Sequence, residues 1–197
     1  MHNPEGILYG RLEGFGLSER GHRMARLAAD ALAGHDVTAL YASPLQRAQE
    51  SAAPWAAAFR LPIVTEVRII EPTNAFEGTR MRRALRDPRN WRHLRNPGRP
   101  SWGEPFIDVR DRMLAAMDEA WAAADGGEVV MVSHQMPIWT VVRAVGGHSL
   151  SHDPRKRRCA LSSITTFRRE PDGRWTETGY QEPAAGLLAE AIDRGAV

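Results

Sequence analysis

The chain has 197 residues with 26 Lys plus Arg against 24 Asp plus Glu and a formal net charge of +2, enough for one substantial core and too nearly neutral to mark a nucleic-acid partner. Cys159 is the only cysteine, which excludes an intrachain disulfide and a cysteine-rich metal cluster. No run approaches the roughly 18 apolar residues of a membrane span and no signal-peptide core opens the chain, so a single cytoplasmic domain over residues 1–197 with no membrane partner is expected.

Residues 1–16, MHNPEGILYGRLEGFG, are rich in glycine and turn formers and read as a loop with no strand ahead of it. Arg11 within it is either an anion contact or a solvated arginine. Ser18 is a good helix N-cap, and Met24, Leu27, Ala28, Ala31 and Leu32 follow at helical spacing, with Gly34 as the stop. Residues 37–42 then read as a short buried strand. Ser43, Pro44 and Gln46 form a capping-box arrangement for a second helix reaching about residue 58. That places Arg47 in the first helical turns beside a strand end, where its guanidinium could clamp a planar anion. Glu50, three residues on, could instead pair with it.

Ile63 and Val64 suggest a third strand, and residues 66–78 a loop that carries Glu71 and Glu77. Acidic loop residues are either solvated or catalytic. Residues 79–105 read as a short helix over residues 80–86 followed by an irregular excursion across one face of the sheet. Trp91 and Trp102 within it either shape a substrate pocket or anchor the connection. A long helix over residues 105–124 has Phe106, Val109, Met113, Met117 and Trp121 as its apolar stripe.

Residues 128–137, EVVMVSHQMP, are the centre of the pattern. Val129, Val130, Met131 and Val132 form the apolar run of a fully buried parallel strand, and His134 follows at its C-terminal end, where ligands of open α/β sheets gather. Pro137 suits the first turn of the next helix, over residues 138–145, which Gly146 and Gly147 end. His148, His152 and Asp153 fit no defined metal spacing. The basic run 155–158 reads as a solvated or anion-attracting face. Residues 160–167 and 175–180 are two further strands around a turn at 171–173, expected as an antiparallel edge that makes the sheet mixed.

Taken in order, these residues resemble the histidine phosphatase superfamily, with its three-layer α/β/α, phosphoglycerate mutase-like mixed sheet. The likeness rests on Asn3, Gly10-Arg11, residues 17–21 (LSERG), residues 41–48 (YASPLQRA), Glu71 with residues 76–78 (FEG), residues 132–134 (VSH) and residues 162–164 (SSI). It implies hydrolysis of a phosphomonoester through a phosphohistidine, on a small phosphorylated metabolite, with no metal or organic cofactor. Glu71 matches the general acid and Glu77 a reserve acid. Arg47 matches the arginine that holds the phosphoryl oxygens, His134 the second active-site histidine, and Arg11 and Asn3 first-loop phosphate contacts.

The departure from that family is at the start. Its nucleophile sits in an arginine-histidine-glycine sequence at the end of the first strand, and no such sequence occurs in this chain. His2 lacks the strand that would preorganise it. Two expectations compete. In one, Met1 is an internal start and the complete protein carries the strand and motif upstream; in the other, the chain is a noncatalytic phosphate-ligand or protein-binding relative.

Overall fold

The computed structural model describes residue 3 and residues 6–94 and 102–188. The anticipated excursion over 79–105 is therefore described except at 95–101, and His2 and the tail beyond 188 lie outside the described residues.

Three strands pair in parallel in the order β2-β1-β3, where β1 is Val37–Ala42, β2 is Val64–Thr65 and β3 is Glu128–Val132. The period-2 alternation of strand side chains divides the core. Leu40, Ala42, Val130 and Val132 pack towards α1 (Glu19–Asp30) and α2 (Gln46–Phe59). Tyr41 and Met131 pack against the opposite cluster, which includes Val109 and Met113 of α4 (Phe106–Ala123) and Val141 of α5 (Gln135–Val145). Helices thus cover both faces of a central strand layer, the expected three-layer α/β/α arrangement. A short α3 (Met81–Arg86) lies in the excursion. No helix among the described residues is long and apolar enough to cross a membrane.

The late strands form as expected, β4 at Ile164–Arg169 and β5 at Trp175–Gln181, antiparallel to each other. Ile164 joins the α1/α2 cluster while Phe167 and Trp175 join the α4/α5 cluster, so this hairpin belongs to the same middle layer and mixes its strand directions. The hydrogen bonding, however, falls into two separate ladders, because β3 and β4 do not pair. Between them runs a cavity of about 1320 Å³, lined along its length by β3 and β4 and closed at the sides by α1 and α4. It reaches from Trp121 and Gly126 at one end to Glu71 and His134 at the other.

This slot corrects one expectation directly: Val129 to Val132 are only half-buried rather than fully buried, because one edge of β3 faces the slot. Other differences have local causes. Leu27 and Trp121 point outward, at 39% and 54% exposure. The buried face of α1 is instead Met24, Ala25, Ala28 and Ala29. The anticipated capping box also fails: α2 begins at Gln46 with Leu45 as an N-cap that makes no side-chain cap bond, and Ser43, two residues ahead of that cap, reaches only the Leu45 N–H there, at 3.5 Å. Ser18, by contrast, caps α1 through its Oγ and the Gly21 N–H.

Candidate functional site

The C-terminal ends of β1 and β3 lie side by side, joined by a hydrogen bond from the Ser43 N–H to the Val132 carbonyl at 3.0 Å. Each strand end therefore delivers a polar residue to one place. Ser43 is fully buried, and its Oγ lies 2.7 Å from Nε2 of the buried His134. The Nδ1 of His134 lies 3.8 Å from Oε2 of Glu71, too long for a hydrogen bond. Next to His134, the Ser133 hydroxyl donates to the Ile69 carbonyl at 2.7 Å and ties β3 to the segment that leads into Glu71.

Arg47 is buried in the first turn of α2. Its Nη2 donates to the Gly10 carbonyl at 2.8 Å, and its guanidinium lies 5.0 Å from the centroid of the Tyr9 ring. The alternative pairing with Glu50 does not form. That carboxylate accepts from the Leu17 N–H and the Gln46 amide, so it braces the first loop and leaves Arg47 turned inward. Arg11 fastens the same loop from the other side: its backbone N–H donates to Glu77 Oε1 at 3.1 Å, its Nε to the Glu71 carbonyl, and its Nη2 to Glu104 Oε2 at 3.3 Å.

Glu71 is buried, and its Oε2 has no hydrogen-bond partner among the described residues. Burial raises its pKa to about 7, against the opposing pull of Arg47, Arg157, Arg112 and Arg11. The carboxyl can thus both hold and release a proton near neutral pH. His134 is shifted the other way, well below its ordinary value, first by burial and then by Arg47, Arg112 and Arg11. It is neutral at neutral pH, which leaves a ring nitrogen able to share a proton with Ser43.

A smaller cavity of about 80 Å³ opens beside Glu71, lined also by Asn74, Trp102, Glu104, His152 and Arg157. Trp102 lies on it and packs against the Leu8, Phe76 and Ala84 cluster, so it both lines the cavity and anchors the excursion. Trp91 is 60% exposed and is not among the lining residues, because the 3-10 segment Pro88–Leu94 carries it outward. Asn3 folds onto its own loop, donating to the Ile7 carbonyl and accepting from the Ile7 N–H. Glu77 sits at the loop's edge as the acceptor for Arg11.

The arrangement thus brings together Glu71, His134, Arg47 and Arg11, with Glu77 and Trp102 at the margin. Sequence reasoning did not single out Tyr9, Glu104, Arg112 or Arg157 for the site. Glu104 accepts from both Arg11 and Arg112, a link across 93 residues in one case that no local pattern announces. Arg157 was visible only as part of a basic run.

The sequence pattern of the histidine phosphatase superfamily (branch 1) matches residues 1–181. The uncharacterized protein Rv0525 of Mycobacterium tuberculosis is 52% identical over 188 residues, 94% of this chain and 93% of that protein. Phosphoserine phosphatase 1 of Hydrogenobacter thermophilus is 30% identical over 154 residues, 76% of this chain and 72% of its own length. In three dimensions the chain is similar to the mycobacterial glucosyl-3-phosphoglycerate phosphatase Rv2419c solved with inorganic phosphate. The TM-score is 0.73 at 22% identity, with 90% of this chain and 92% of that one covered, a likeness of fold. With its α/β/α layers, its strand-end histidine and a family pattern that spans nearly its whole length, the chain belongs to the histidine phosphatase superfamily.

Proposed function

We propose that the complete protein hydrolyses a small phosphomonoester in the cytoplasm through a phosphohistidine intermediate, with the nucleophilic histidine supplied by a segment that this chain does not contain. The observation that carries this reading is the convergence of Arg47, His134 and a carboxyl poised near pH 7 at one end of the slot between β3 and β4. A single extended strand in that slot would pair with both free edges and end beside these residues. The phosphatase names of the relatives, for phosphoserine and glucosyl-3-phosphoglycerate, support a small phosphorylated metabolite as substrate.

In this mechanism the histidine nitrogen attacks phosphorus as the ester P–O bond breaks, and Glu71 gives its proton to the leaving oxygen. Arg47, His134 and Arg11 stabilise charge on the remaining phosphoryl oxygens. A water then gives a proton to Glu71 and attacks phosphorus, breaking the N–P bond and releasing inorganic phosphate. Glu71 is favoured over Glu77 because Glu77 already accepts the Arg11 N–H, whereas Glu71 Oε2 is unengaged.

A second reading, a noncatalytic phosphate-ligand or protein-binding module, is favoured by one fact: no arginine-histidine-glycine occurs in the 197 residues. Intact mass and N-terminal peptide identification of the natively expressed protein decide between the two. An added segment with that motif, together with turnover of p-nitrophenyl phosphate that Glu71→Gln suppresses, supports the enzyme. A native terminus at Met1 without turnover defeats it and leaves the binding module.

A further inference from the structure

Four guanidinium groups surround Glu71, and they are not equivalent. Arg11 and Arg112 both bond Glu104, and Arg47 is fixed to the Gly10 carbonyl and the Tyr9 face. The guanidinium of Arg157 makes one hydrogen bond among the described residues, from its Nε to Nε2 of His152 at 2.9 Å. That partner is neutral. His152 donates from Nδ1 to the Leu150 carbonyl at 2.7 Å, which makes Nε2 the acceptor, and its ring packs 5.3 Å from that of Phe106 and 6.4 Å from that of Trp139. The imidazole is therefore a fixed post that takes only Nε, and among the described residues neither terminal nitrogen of Arg157 has a hydrogen-bond partner. The guanidinium is also half-buried, and it lines the 80 Å³ cavity together with Glu71.

A desolvated guanidinium with its two NH2 groups unengaged is a costly arrangement for a group that serves only the fold. The same arrangement is what a carboxylate needs, two parallel N–H donors held in one plane. Glu71 and Glu104 on the cavity wall disfavour a dianion there, and the volume suits a small planar group.

We propose that Arg157 binds a second anionic group of the substrate, a carboxylate, so that the protein takes phosphomonoesters of small carboxylic acids in preference to uncharged analogues. This rests on the reading above that Arg47 and His134 hold the phosphoryl group. His152 acts as a positioning residue that aims Arg157 without touching the ligand.

The test is calorimetric titration of the 197-residue protein with inorganic phosphate, 3-phosphoglycerate and glycerol 3-phosphate, the two esters differing in a carboxylate against a hydroxymethyl group. The wild type should bind 3-phosphoglycerate about tenfold or more tightly than glycerol 3-phosphate, the size expected of a charge-assisted bidentate contact. Arg157→Gln should bring that ratio close to one, and Arg157→Lys, which keeps the charge but loses the fork, should give an intermediate ratio. Arg47→Gln should weaken both esters alike. A wild-type ratio near one, or a ratio that survives in Arg157→Gln or equals the wild type in Arg157→Lys, overturns the proposal while leaving the phosphoryl site standing. Failure of phosphate and both esters to bind the wild type removes the phosphoryl-site reading and the carboxylate subsite with it.

Discussion

Ser43 Oγ and His134 Nε2 lie 2.7 Å apart and join the ends of two parallel strands that are 91 residues apart in sequence. Both side chains are buried, so removing the hydroxyl leaves a ring nitrogen without its partner in a place water does not readily reach. Ser43→Ala should lower unfolding stability by about 1–3 kcal/mol, read as a shift of the urea midpoint at constant m. A change below about 0.5 kcal/mol, the range of an ordinary surface substitution, would mean that this bond does not hold the strand ends.

The acid–base behaviour of Glu71 has a definite sign. At pH below its ordinary value of 4.5 the carboxyl is protonated in both folded and unfolded chains. As pH rises from 4.5 to about 7 the unfolded chain loses the proton first, so stability falls. Above about 7 the cost is constant at about 3 kcal/mol. Glu71→Gln should therefore gain on the wild type as pH rises through that window and hold its advantage above it. Denaturation midpoints of the two proteins at half-unit steps from pH 5 to 8 give the difference, and a flat line would refute the raised pKa. His134, whose pKa is depressed, acts in the opposite sense: its contribution is intact above 6.5 and is lost as pH falls below that value. It is common to both proteins and drops out of the comparison.

Gly10 has a positive φ of +36°, and a Cβ there would lie 2.1 Å from Glu77 Oε1. Gly10→Ala must displace Glu77 from the Arg11 N–H and disturb the carbonyl that holds Arg47. Inorganic phosphate should bind about tenfold more weakly, the loss expected for one charged hydrogen bond. Gly34→Ala is the control, since Gly34 also has a positive φ, +87°, but its Cβ would meet nothing within 4 Å. It should cost stability and leave phosphate affinity alone.

Strand β1 is paired on both edges, to β2 and β3, whereas β3 is paired on one. Half of the β3 amides therefore face the slot rather than a carbonyl of a neighbouring strand. In the 197-residue protein, hydrogen exchange across residues 128–132 should be several times faster than across residues 37–42. Equal protection of the two strands would show that the edge of β3 is covered in solution.

Local signals were legible where local chemistry decides. Ser18 caps its helix because the Gly21 N–H is three residues away, and His134 stands at a strand end because the apolar run before it and Pro137 after it fix both boundaries. Ser43 misleads for the same reason that it matters. Its spacing to Gln46 satisfies a capping rule, yet a histidine 91 residues away takes the hydroxyl. Trp121 fits the helical period but sits near the end of α4 beside the slot, where the Arg169 guanidinium, 5.9 Å from its ring, covers it only in part. Arg157 was hidden in a run of four basic residues, of which Arg155 is 88% exposed at its side chain. Only the tertiary position of His152 separates the half-buried arginine from its exposed neighbours.

The three bonds of Arg11 have a temporal meaning. They close chain separations of 60, 66 and 93 residues, so each requires distant parts of the chain to meet before it can form. Helices α1 and α2 with β1 between them, all within residues 19–59, need no such closure. Because loop entropy must be overcome before distant contacts give anything back, this α1-β1-α2 unit, built on local neighbours, condenses early. The cluster around Glu71 is then the last part to assemble during refolding and the first to come apart under mild denaturant. Loss of phosphate binding should accordingly precede loss of helical signal.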